Sequence, residues 1–123
     1  MKVSALILLI VIAVIFLPDL VFLWSNQFFW YDTLLHFLGG AFLGFLFLGY
    51  FSKTNLFVFL GGLLLVGLLW EGFEVLLDLY ILEKRLPAFY FWDGFLDTAA
   101  DLFFDLIGGL TVWLGYAFFR QRR

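Results

Sequence analysis

The residues able to do chemistry in this chain are a single histidine and a set of carboxylates at helical spacing: Asp32 and His36, then Glu71, Glu74 and Asp78, then Asp97, Asp101 and Asp105. At 100° per residue Asp32 and His36 differ by about 40°, the trio 71/74/78 falls within about 60° and the trio 97/101/105 within about 80°. Each set is therefore one polar stripe on one helix. Oxygen ligands with one imidazole suit Mg²⁺, Mn²⁺ or Ca²⁺ and, through His36, Zn²⁺ or Fe²⁺. The expected metal set is Asp32, His36, Glu71, Glu74, Asp78, Asp97, Asp101 and Asp105, with Asp105 in an outer supporting role and His36 or Glu74 as general base.

These groups lie in segments that are otherwise lipid-like. The chain has 123 residues, of which 65% are hydrophobic and 14% charged, with 19 Phe and no Cys. A soluble domain carries roughly 45–50% apolar and 25% charged residues, and the mean hydropathy of +1.08 points to lipid as the surrounding solvent. Without Cys there is no disulfide framework, thiolate site or thiol nucleophile.

The apolar stretches predict an all-α polytopic membrane protein, a single transmembrane domain over 1–123 with helices at about 3–24, 30–50, 55–82 and 93–119, each near the ~20 residues that cross a ~30 Å hydrocarbon core. A cleaved leader is the competing reading of the first, but no small-x-small cleavage site follows it and the chain stays apolar. Trp24, Trp30 and Tyr31 mark an interfacial turn over 18–31, and Pro87 with its aromatic neighbours a second over 83–92. Ser52-Lys53-Thr54 is a short break that makes the second and third helices antiparallel neighbours. Asp93 is expected as an N-cap. The pairs Gly39-Gly40, Gly61-Gly62 and Gly108-Gly109 are expected to let helices approach closely, and Gly40-x-x-x-Gly44 is a weak sign of a dimer.

On four spans Lys2, Lys53, Arg120, Arg122 and Arg123 share one side, against Lys84 and Arg85 on the other. The positive-inside rule then puts both termini in the cytoplasm of a cell (inner) membrane. All ten acidic residues fall in the outer half or outside. The three stripes, buried from lipid, most simply face one another in a chamber open to the outside. A carboxylate at a helix centre costs roughly 2.5–3.5 kcal/mol on translocon scales, and neighbouring ones repel. Protonation, basic side chains or bound cations could offset this. With no Lys or Arg on the helices near the cluster, a divalent cation is the expected cofactor.

Three segments carry a family resemblance: Asp32-x-x-x-His36-x-x-Gly39-Gly40, Trp70-Glu71-x-x-Glu74, and Asp97-Thr98-x-x-Asp101. Together they resemble the YjdF-like bacterial and archaeal inner-membrane proteins, and more distantly VanZ-like proteins. The resemblance covers the second to fourth helices and implies an envelope role at Asp32, His36, Glu71, Glu74, Asp97 and Asp101.

Three functions fit these residues. The first is a metal-dependent enzyme acting on an envelope lipid or lipid-linked substrate. The second is a cation- or proton-handling transporter or channel subunit, which needs a polar path to the cytoplasm that the residues below Asp105 do not offer. The third is an assembly protein whose polar network is structural. Membrane lipid and a homo-oligomer are the expected partners, and nucleic acid is not.

Overall fold

A computed structural model of the chain describes the backbone of residues 1–22, 29–80 and 90–123, and the side chains of 1–17, 30–76 and 94–123. Among these residues there are four helices and no strand: α1 Lys2–Phe22, α2 Phe29–Tyr50, α3 Leu56–Tyr80 and α4 Tyr90–Gln121. The expected all-α membrane bundle is what forms. The outer parts of the expected interfacial turns, 18–22, 29–31 and 90–92, are helical instead, while the rest of those turns, with Glu83 to Pro87, and the side chains of Asp19, Asp78 and Asp93 lie outside the described residues. The bounds of α4 correct one detail, since Asp93 falls three residues past the helix start and is not its cap.

Trp30–Tyr50, Leu56–Leu76 and Gly94–Gln121 are long and apolar enough to cross a membrane, and Lys2–Leu17 is a shorter apolar stretch. Their outward surfaces are the kind lipid covers: Ile7 and Val14 of α1, Leu65 and Leu69 of α3, and Phe103 and Leu114 of α4 are all exposed. In water such surfaces would drive aggregation, whereas in hydrocarbon they cost nothing.

Helix direction follows from a few contacts. Tyr31 at the start of α2 hydrogen-bonds to the Ile15 carbonyl of α1, while Lys2 Nζ lies 4.3 Å from the centre of the Tyr50 ring, so α1 and α2 are antiparallel. The α2–α3 connection closes with Thr54 N–H donating to the Phe51 carbonyl at 3.1 Å. Asn55 then caps α3, its Oδ1 accepting from Val58 N–H at 2.9 Å. Tyr116 near the end of α4 donates to the Ser52 carbonyl at 3.2 Å. Both chain ends and the α2–α3 turn therefore share one end of the bundle.

The glycines set the packing. A Cβ on Gly40 would collide with the backbone of Asp105, one on Gly108 with the Phe37 carbonyl, and one on Gly44 would stand 3.3 Å from Gly109 Cα. Gly40-x-x-x-Gly44 thus serves the α2–α4 crossing within one chain. Below it, toward the termini, Ala41, Leu48, Phe59, Leu63 and Val112 form the buried apolar core. The Phe59 ring sits edge-on to Phe47 and tilted against Trp113, with centroids 5.6 and 4.9 Å apart.

Candidate metal centre

The polar layer occupies the other end of the helices. At 1.5 Å per residue, His36 lies about 9 Å inside its span, Glu71 about 8 Å and Asp101 about 10 Å, so three helices bring their polar groups to one depth. His36, Glu71, Asp101 and Asp105 are all buried there. Asp32 and Glu74 are half-buried beside them.

His36 is the hub. Its Nδ1 is 3.3 Å from Asp105 Oδ1, and its Nε2 is 3.6 Å from Asp101 Oδ2, 3.8 Å from Asp32 Oδ1 and 4.0 Å from Glu71 Oε1. Where Nδ1–H donates to Asp105, neutral imidazole carries its lone pair on Nε2, on the side where carboxylates from α2, α3 and α4 converge. Among the described residues two sets hold one ligand atom per residue within 4.8 Å of one another: Asp32, His36 and Asp101, and His36, Glu71 and Glu74.

Glu71 ties the layer together and leaves one group open. Its Oε2 accepts from the Thr98 hydroxyl at 3.1 Å. Its Oε1 is buried with no hydrogen-bond partner among the described residues, on a side chain only about a tenth exposed. A buried carboxylate oxygen without a donor is costly, of order 1–3 kcal/mol or more for a charged group, unless a cation or proton meets it. Glycine makes room for the neighbouring carboxylate, since a Cβ on Gly67 would stand 3.0 Å from Asp105 Oδ2.

Of the residues expected from sequence, Asp32, His36, Glu71, Glu74 and Asp101 come together, and Asp105 supports the imidazole from behind. Asp97 is exposed and belongs to neither set. Thr98 takes the position facing Glu71, and it was not expected. Its signal was present in helical projection, where residue 98 lies about 20° from 105 and residue 97 about 80° away.

Polarity ends just below this layer. Thr111 donates back to the Ile107 carbonyl at 2.8 Å, a local bond that satisfies its hydroxyl. The apolar core then fills the space between α2, α3 and α4. Among the described residues apolar packing forms a closed floor beneath the polar layer.

No curated protein and no solved structure matches the chain. A family model matches residues 2–122, so kinship extends over all four helices, whereas the YjdF-like resemblance rested on the last three; the match supports a membrane family without reaching that name. The chain belongs to the family described as "Predicted membrane protein (DUF2238)".

Proposed function

We propose that this membrane protein binds one divalent cation in its intramembrane carboxylate/histidine layer, and that the bound ion serves metal-dependent chemistry on an envelope lipid or lipid-linked substrate. The observation that carries the reading is the convergence on His36 Nε2 of carboxylate oxygens from three helices at 3.6–4.0 Å, with Glu71 Oε1 unpartnered. Ligand atoms about 2.0–2.2 Å from one ion stand roughly 3.0–3.6 Å apart, so the His36–carboxylate distances need to contract by only a few tenths of an ångström, while the other ligand atoms of each set, within 4.8 Å of one another, close in by rotation of their side chains. Both candidate sets share His36, whose other nitrogen faces Asp105, and this favours one ion over two. A bound cation polarises a phosphoryl oxygen or activates water, and Glu74, half-buried at the rim, is the general base. The closed floor favours this site over a transmembrane ion route. The resemblance to YjdF-like and VanZ-like proteins fits the same envelope setting.

Elemental analysis by plasma mass spectrometry of detergent-purified protein, before and after chelation, tests the proposal. Near-stoichiometric divalent metal is expected in the native chain and its loss in His36→Ala. Absence of metal even after incubation with candidate ions would sink the reading and leave an imidazolium among carboxylates as a structural network.

The positive-inside rule supports a cell membrane with both termini cytoplasmic and the polar layer toward the outside. With no native Cys, single cysteines report topology cleanly. One at Pro87 is expected to react with an impermeant thiol reagent in intact cells, and ones at Lys53 and Arg123 are not. The opposite pattern inverts the protein and turns the layer to the cytoplasm.

A further inference from the structure

A groove runs from Phe37, at the depth of the polar layer, down to the end of the bundle that carries both termini. Among the described residues α1 packs on α2, and no Cα of α1 comes within 8 Å of one in α4, so a gap lies between α1 and α4 with α2 as its back wall. This cavity, of about 830 Å³, is lined by Leu8 of α1, Phe37 and Phe45 of α2, and Gly115 of α4, and it ends at Arg120 and Arg123. The lining on α4 from Thr111 to Arg120 covers about 14 Å of helix, close to the ~15 Å hydrocarbon depth of one leaflet.

We propose that this groove is a binding site for an anionic membrane phospholipid, one acyl chain lying against α2 and the phosphate resting on Arg120 and Arg123. Charge complementarity selects the occupant. The groove is apolar along its length and cationic at one end, the polarity of a lipid whose headgroup is negative. Of the other bases at this end, Arg122 lies 4.1 Å from the Phe118 ring centre, Lys2 lies over Tyr50, and Lys53, in the α2–α3 turn, does not line the groove. Two guanidiniums at the mouth offer the fork geometry that holds phosphate oxygens in pairs. A second copy in the same membrane orientation fits this face poorly, because it would set the two arginine-bearing ends side by side. The groove is separate from the cation layer, and neither assignment depends on the other.

Gly115 allows the decisive variant. A Cβ there would meet nothing within 4 Å, so Gly115→Leu starts from open space, places its side chain in the groove and improves local helix propensity. The full chain, reconstituted in vesicles of equal phosphatidylglycerol and phosphatidylcholine with matched acyl chains and then released into mild detergent, is weighed by native mass spectrometry. One retained phosphatidylglycerol is expected, favoured over phosphatidylcholine by about thirtyfold for two basic side chains at the membrane surface. Arg120→Gln/Arg123→Gln is expected to keep one lipid and bring that ratio close to unity. Gly115→Leu, with unchanged helical content, is expected to lose lipid of both kinds. Equal retention of the two lipids by the native chain, lipid surviving in Gly115→Leu, or a lipid-free dimer would each overturn the assignment. Metal measured in the same samples keeps the two sites apart: a chain that selects phosphatidylglycerol but holds no metal loses the cation reading and keeps this one.

Discussion

Asp101→Asn is expected to lower divalent-cation affinity by at least about 100-fold, and Asp97→Asn to leave it within about twofold, although the two residues are one helical turn apart. Asp101 is buried with Oδ2 3.6 Å from His36 Nε2, so the amide replaces a charged oxygen at the convergence point. Asp97 is exposed and acts on the ion only through solvent, where screening makes a charge worth little. Asp105→Asn belongs between them. It keeps the size of the group beside His36 Nδ1 but weakens the acceptor that orients the imidazole, and an outer partner of this kind is worth about 10–100-fold. Equilibrium dialysis against Mn²⁺ and Zn²⁺ measures all three variants on one scale. Equal losses for Asp97→Asn and Asp101→Asn would mean that general negative charge holds the ion, and the specific site would fall.

Much of this arrangement is legible in the sequence because membrane burial leaves few alternatives. Carboxylates that recur every three or four residues on apolar helices must face inward, and three such stripes at one depth have only one another to face. That reasoning leads to His36 with Glu71, Asp101 and Asp105 before any coordinates are considered. It misses which flank of a stripe is central. Residues 97, 98, 101 and 105 all lie within a broad arc, and charge alone favours Asp97, but packing against α3 turns Thr98 toward Glu71. Helix phase is decided by the glycines, whose contacts depend on the facing helix: Gly40 and Gly108 are pressed against backbone, whereas Gly61, the neighbour of a packed glycine, and Gly72 face open space. The lipid groove was hidden for a related reason. Composition shows that α1 is apolar, but not that it leans on α2 and leaves α4 uncovered.

Gly40→Ala is expected to destabilise the bundle by roughly 1–3 kcal/mol, the cost of overpacking a close contact, and to remove the cation site with it. The added methyl meets the backbone of Asp105, which has no rotamer to change, so α2 and α4 must move apart. His36 sits one turn from Gly40 on α2 and Asp105 is itself the contact residue on α4, so their 3.3 Å pairing cannot persist through such a shift. Gly108→Ala should act alike through the Phe37 carbonyl, and Gly72→Ala, with nothing within 4 Å of its Cβ, should be neutral or slightly stabilising by helix propensity. The double variant Gly40→Ala/Gly108→Ala carries the sharper expectation. Once the helices have separated for one methyl the second finds space already made, so the combined loss should fall short of the sum, as it does for residues sharing one contact. Thermal midpoints in detergent, with metal content measured below the transition, follow both effects. If Gly40→Ala behaves like Gly72→Ala, α2 and α4 do not meet at these glycines, and the layer built on their crossing loses its frame.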